Sequence, residues 1–238
     1  MTIDIRNIHK SFRKNYVLKG VDLTINKGGI WAVLGPNASG KTTLIKTILG
    51  MVLPDDGQIY IDGENVLGKW EYKNSINYLP QIARFPDNLT VVELFKMIEE
   101  LRNSIGNLQP LINRFDIKPH LKTKLSNLSG GTKQKVNLAL ALMYDNPIYI
   151  LDEPTAGLDP LALIELKDIL FKLKDKNRVV IITTHIMSLV EELADNIIFI
   201  LEGEIHFNGS PKELKKMYDG QNLEHSIAKM LNENDSKL

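Results

Sequence analysis

The chain contains no cysteine, which excludes disulfides and thiolate metal sites and fits a reducing compartment. It also lacks a surplus of charge. Its 29 Lys+Arg balance 29 Asp+Glu, so no broad electrostatic field draws it to nucleic acid or anionic lipid. Any anion must therefore be held locally. No apolar run approaches the ~18 residues that cross a bilayer, and Met1-Thr2-Ile3-Asp4-Ile5-Arg6 does not read as a signal peptide. If the protein works at a membrane, a partner must do the spanning. Internal repeats and low-complexity linkers are missing too, and 238 residues suit one large domain or one domain with an inserted lobe.

Against these absences stands a phosphate-binding loop, Gly35-Pro36-Asn37-Ala38-Ser39-Gly40-Lys41-Thr42. At ordinary glycine usage its pattern arises by chance in roughly one chain of this size in a hundred. Context lowers that chance further. Ile30 to Leu34 reads as a buried strand and Thr43 to Leu49 as a helix, so the loop joins a strand to a helix. Glycines there let backbone N–H groups close around a phosphate, and the helix N-terminus adds about half a positive charge. Lys41 can reach the outer phosphates, the Thr42 hydroxyl can ligate Mg²⁺, and Thr43 continues the phosphate-binding set.

Periodicity supplies the rest of the organisation. Ile3 to about Ile25 alternates apolar and polar in two stretches, predicting antiparallel strands, and Gly57 to Gly63 reads as another short strand. Thr90-Val91-Val92-Glu93 is a capping box, after which Val91, Leu94, Phe95, Ile98 and Leu101 mark one helical face. Residues from about 82 to 143 read as mostly helical between strand-rich flanks, which suggests an inserted helical lobe. Ile148 to Leu151 and Val179 to Thr184 read as strands, Pro160 to Leu173 as a helix capped by Asp159, and Ser188 to Ala194 as another helix. Asn196 to Phe207 reads as a hairpin turning at Glu202-Gly203. Alternating strands and helices predict an α/β fold with a mainly parallel sheet and ligands at the carboxyl ends of its strands.

Several residues stand where chemistry would need them. Asp152 and Glu153 follow a buried strand, where adjacent carboxylates are costly unless occupied. They read either as an Mg²⁺ ligand beside a group facing the attacking water, or as a solvated strand end. His185 ends a strand, a place that histidines also fill as hydrogen-bonded structural groups. Gln81 follows a proline and by itself is a polar loop residue. Phe12 and Tyr16 are two aromatics in an early alternating segment, where aromatics are normally core. Ser129-Gly130-Gly131 opens a helix, and its free N–H groups make a second anion site.

The phosphate loop, Leu128-Ser129-Gly130-Gly131 and the run Asp152-Glu153-Pro154-Thr155-Ala156-Gly157-Leu158-Asp159 occur in the order and approximate spacing of one family. From about Ile3 to about Pro211 the chain resembles the nucleotide-binding subunit of an ATP-binding cassette (ABC) transporter. The resemblance implies a P-loop NTPase core with an N-terminal antiparallel β subdomain and an inserted helical lobe. Residues 1–211 would form the ATPase domain, with the lobe at about 82–143, and residues 212–238 a short helical tail. It makes Glu153 the catalytic base, with Lys41 and His185 on the γ-phosphate, and Asp152, Thr42 and Gln81 on Mg²⁺. Gln81 becomes the hinge between core and lobe, and Phe12 the aromatic stacked on adenine. Ala156 to Asp159 becomes the loop that crosses to a second subunit, and Ser129-Gly130-Gly131 the seal on the ATP held by that subunit.

Two copies of the chain would then close on two ATP molecules and drive integral membrane permease subunits from the cytoplasmic face of the cell membrane, with no role for nucleic acid. The family's usual glutamine after the two glycines is Thr132 here. The short tail and the context Gly130 to Val136 resemble ABC-2-type exporters, and Tyr78 to Thr90 resembles ATPases of copper-enzyme maturation, including nitrous-oxide reductase. A P-loop kinase or GTPase would share the loop but has no need of Ser129-Gly130-Gly131. A soluble ABC ATPase of iron–sulfur assembly or of the ribosome is the other alternative, and a membrane subunit or a soluble scaffold co-purifying with the chain separates the two.

Overall fold

Alternation of apolar and polar residues folds the first segment into β1 (Ile3–Phe12) and β2 (Asn15–Ile25), antiparallel from Ile3 opposite Ile25 to Phe12 opposite Asn15. This computed structural model describes residues 1–235; the last three residues of the expected tail, 236–238, lie outside the described residues. β3 (Gly29–Leu34), apolar and buried throughout, leads through the phosphate loop into α1 (Lys41–Ile48). β4 (Asp56–Ile61) and the short β5 (Glu64–Asn65) return to the first sheet, whose order is β2-β1-β4-β5. After β6 (Ile76–Leu79) come α2 (Val91–Arg102), α3 (Leu108–Arg114) and α4 (Gly130–Leu142). Then β7 (Ile148–Asp152), α5 (Pro160–Asp175), β8 (Val179–Thr183), α6 (Met187–Leu193), β9 (Asn196–Leu201) and β10 (Glu204–Gly209) complete the second sheet. Two helices follow, α7 (Pro211–Met217) and α8 (Leu223–Asp235).

The second sheet runs β10-β9-β3-β8-β7-β6, parallel except for the β9–β10 hairpin. Both its faces are covered, which is why β3, β7 and β8 are nearly continuous apolar runs. Alternate residues supply two separate cores. Ile30, Ala32, Leu34, Tyr149, Leu151, Val180 and Ile182 join the helices. Trp31, Val33, Ile148, Ile150, Val179 and Ile181 join α1 and the antiparallel sheet. The period of two thus decides which neighbour each strand residue meets.

Three local expectations shift. α1 begins at Lys41, two residues before Thr43, because Gly40 at φ 109 turns the chain directly into the helix. β8 ends at Thr183, one residue early. On α2, Val91, Leu94 and Phe95 are buried and Ile98 packs on the core, but Leu101 is 75% exposed. It lies on the final turn, where the helix ends at Arg102 and Asn103 turns left-handed at φ 47. The capping box at Thr90 and the cap by Asp159, which accepts from Ala162 N at 2.9 Å, form as expected.

The last two helices are part of the packing. Leu214 and Leu223 are fully buried, and Met230 nearly so, in the core shared by Leu166 and Leu189. Leu223 N donates to Glu191 Oε1 at 2.9 Å, and Lys215 pairs with the same oxygen at 3.2 Å. Leu214→Ala should therefore lower the free energy of unfolding by about 2–5 kcal/mol, the range of buried Leu→Ala changes. Urea denaturation measures it, and a loss below about 0.5 kcal/mol, typical of surface changes, would mean that α7 is not part of the core.

Candidate active site

β3, β8, β7 and β6 are neighbours in that order and run parallel, so their carboxyl ends reach one edge. There β3 passes to the phosphate loop, β7 to Asp152 and Glu153, β8 to Thr183 and His185, and β6 to Gln81. These segments line a cavity of about 260 Å³: residues 37–43, Gln81, Asp152, Glu153, Thr183 and His185, with Val17 from β2. Parallel order, more than any single motif, brings together residues up to about 150 positions apart in the chain.

The phosphate loop is held by backbone geometry. Gly35 has φ 147, and a Cβ there would lie 2.0 Å from Ile200 O and 2.8 Å from Ser39 Oγ. Gly40 stands at the N-cap of α1 without a side-chain cap, and the first turn carries no acidic residue, so its N–H groups are open to an anion. Lys41 Nζ donates to Gly35 O at 2.8 Å and Pro36 O at 2.7 Å, tying the loop to the helix. Burial lowers the Lys41 pKa, opposed by the charges of Glu153 and Asp152. Ser39 Oγ is buried with no partner, an orphaned polar group that phosphate oxygens would satisfy.

Asp152 is buried, and its Oδ1 accepts from Thr183 Oγ1. A buried carboxylate without an ion pair among the described residues suits a cation beside it, as does the Thr42 hydroxyl on the same cavity. Among the described residues no three His, Cys, Asp or Glu side chains cluster as a metal site. An Mg²⁺ ligated by one carboxylate, a hydroxyl and phosphate oxygens needs no such cluster.

Glu153 sits at φ 52, in the left-handed region that costs a non-glycine residue on the order of 1–3 kcal/mol. Its N–H donates to Thr183 Oγ1 at 2.9 Å. His185 Nε2 lies 3.0 Å from Glu153 Oε1, close enough for an ion pair but not aligned as a hydrogen bond, and Oε1 is otherwise unpartnered. Burial raises the Glu153 pKa, with the His185 charge acting against it. A carboxyl with a raised pKa, beside a histidine and across from a lysine, is a group suited to taking a proton.

Ser129, Gly130, Gly131 and Asp159 are not among the residues lining this cavity; they make a separate corner. Ser129 caps α4 by accepting from Thr132 N at 3.2 Å, and its hydroxyl lies 2.9 Å from Thr132 Oγ1. The threonine in place of the family's glutamine thus supports the cap. Gln134 Nε2 donates to Pro154 O at 3.2 Å, Lys135 Nζ pairs with Asp159 Oδ2 at 2.5 Å, and a Cβ on Gly131 would lie 2.7 Å from Gly157 O. The Lys135 bond holds the Asp159 carboxyl below its usual range.

Phe12 also stands off the cavity, half-exposed at the end of β1, with Lys10 Nζ 5.4 Å from its ring centroid. Tyr16 is more exposed still. Val17 and Thr183, which line the cavity, were not singled out by the sequence. Thr183 carries a signal in retrospect, as the first polar residue after the apolar run of β8. Elsewhere, Phe85 is half-buried and lines two further cavities of about 370 and 180 Å³, between the 83–87 loop and α4.

The sequence profile of the family described as "ABC transporter" matches residues 18–156. The lantibiotic transport ATP-binding protein SrtF of Streptococcus pyogenes is 34% identical over 227 residues, covering 93% of this chain and 94% of its own. The Nod factor export ATP-binding protein I of Burkholderia lata is 34% identical over 220 residues, covering 89% of this chain and 72% of its own. A solved ATP-binding subunit of an ABC transporter superposes with a TM-score of 0.90 at 26% identity, covering 97% of this chain and 100% of that one. The chain belongs to the ABC transporter family, as an ATP-binding and ATP-hydrolysing subunit that powers a separate permease.

The loop geometry gives a direct test. Gly35→Ala should weaken ATP binding more than tenfold, or about 1.4 kcal/mol, because the added methyl collides with Ile200 O. Gly63→Ala, also at positive φ but with nothing within 4 Å of the added atom, should bind ATP as the unaltered chain does in the same titration.

Proposed function

We propose that ATP is hydrolysed at the edge cavity by general-base catalysis from Glu153, and that closure of two copies of the chain around two ATP molecules drives the permease. The observation that carries this reading is the meeting of Lys41, Asp152, Glu153 and His185 on one cavity beside an open helix N-terminus. The loop N–H groups and Lys41 bind the phosphates and offset their charge. Glu153, with its raised pKa and an Oε1 that no hydrogen bond occupies, orients a water and takes its proton. His185 orients Glu153 and faces the γ-phosphate. Thr42 and Asp152, with Gln81, would hold Mg²⁺, which when bound neutralises charge on the β- and γ-phosphates. Phe12 stacks on adenine at the rim. Positioning and electrostatics supply most of the acceleration.

Ser129, Gly130, Gly131 and Asp159 serve the partner copy: an open helix start and a crossing loop set apart from the chain's own cavity are of use to a second one. Residues 1–211 act as the ATPase domain, with the lobe at 82–143, and 212–238 as its tail. The permease is of the ABC-2 exporter type, a reading supported by the functions for which the two relatives above are named, lantibiotic transport and Nod factor export. On this reading the chain works at the cytoplasmic face of the membrane. No helix among the described residues is long and apolar enough to cross it.

Glu153→Gln keeps shape but cannot accept a proton, so hydrolysis should fall by ~10²–10⁴ while Mg-ATP binding persists. Size-exclusion chromatography should then show an ATP-dependent dimer. Near-normal turnover would remove Glu153 from the mechanism.

The docking groove for the permease lies around Phe85. Ile82 is 69% exposed beside it, Arg84 and Pro86 are exposed, and the two cavities flank the ring. Attachment to Gln81 couples this segment to the nucleotide. Phe85→Ser should leave the isolated subunit an active ATPase, since Phe85 does not line the nucleotide cavity, while membrane recruitment and transport fall. Normal binding to the permease would refute the groove.

A further inference from the structure

We infer that Thr183 is a positioning residue for hydrolysis, whose single hydroxyl sets both the Asp152 carboxylate and the Glu153 backbone. The inference rests on the roles proposed above for those two residues. Thr183 is the last residue of β8 and lies directly opposite Asp152 in the parallel register. It is 1% exposed, yet it ends a run, Val179 to Ile182, in which every other side chain is apolar. A valine would fill the same space with the same preference for a strand. A buried hydroxyl is costly unless bonded, and this one is bonded in both senses. It donates to Asp152 Oδ1 at 2.5 Å and accepts from Glu153 N at 2.9 Å.

The second bond falls where the chain most needs one. Glu153 is held at φ 52, and its N–H has as its other acceptor Thr183 O, at 3.2 Å. With the hydroxyl removed, that N–H keeps only the longer contact, and Asp152 Oδ1 loses its donor. Both the carboxylate expected on Mg²⁺ and the residue expected on water would then loosen together. The phosphate loop, on β3 and α1, is not bonded to this hydroxyl and would keep its shape. The loss should therefore appear in turnover and metal affinity and leave the affinity for metal-free nucleotide alone.

Thr183→Val and Thr183→Ser in the full chain test this, with steady-state ATP hydrolysis, thermal unfolding, and Mn²⁺ affinity by electron paramagnetic resonance in the presence of ATPγS. Removing an outer partner of a metal ligand typically costs 10–100-fold, so Thr183→Val should lose about that much in kcat and ~10-fold or more in Mn²⁺ affinity. Its affinity for ATP titrated without a divalent cation should stay within about twofold, because the loop contacts common to ground and transition states are untouched. Thr183→Ser should restore kcat and Mn²⁺ affinity. Unchanged kcat and Mn²⁺ affinity in Thr183→Val would overturn the inference, as would equal losses in the Val and Ser variants with intact melting curves, which would point to methyl packing. If Thr183→Val does not fold, Thr183→Ala against Thr183→Ser is read in the same way. Asp152→Asn and Glu153→Gln run alongside: wild-type turnover in these removes the underlying reading of the site, whereas losses there with none in Thr183→Val remove this inference alone.

Discussion

The structure depends on the parallel register of β6, β7, β8 and β3. Parallel strands need crossover connections, and those connections cover both faces of the sheet. Burial on both faces demands strands that are apolar at every position, as β3, β7 and β8 nearly are. Such strands can place polar chemistry only where they end. Register then decides which ends coincide: Asp152 falls opposite Thr183, and Leu79 opposite Leu151. A slip of one residue would exchange the two cores on either face and separate Asp152 from its hydroxyl donor.

At the shared edge the charges are few and mutually dependent. Lys41 loses hydration to burial and regains part of its stability from two carboxylates, while Glu153 is pushed toward its neutral form by the same burial. The opposing shifts give one site a cation for phosphate and a carboxyl able to exchange a proton. They also explain why a chain of zero net charge can serve a polyanionic substrate. Selectivity for phosphate lies in open N–H groups and one lysine, within a few ångströms, where long-range charge adds little.

Much of this was legible because it is local. The loop from Gly35 to Thr42, the capping box at Thr90, the cap at Asp159 and the hairpin at Glu202-Gly203 each follow from a few adjacent residues. What escaped depends on neighbours distant in sequence. Thr183 reads as one more β-branched strand residue until Asp152 stands beside it. Leu101 fits the helical period of α2, but period alone does not tell where the covering elements stop. The tail reads as short and helical, but that Leu214 and Leu223 complete the helical face of the core depends on partners distant in sequence. Phe12 stands at the end of β1 outside the residues lining the phosphate cavity, a placement set by the β1–β2 hairpin, which local pattern does not encode.

The backbone at Glu153 sets stability and turnover against each other. A glycine or asparagine would rest more easily at φ 52 and would remove a carboxyl that burial already disfavours. Selection for heat resistance alone would thus drift toward replacing this residue and, on the role proposed for it, would yield a sturdier protein that no longer turns over ATP. On the role proposed for Glu153, the strain at φ 52 is the cost of keeping a proton acceptor where the strand ends.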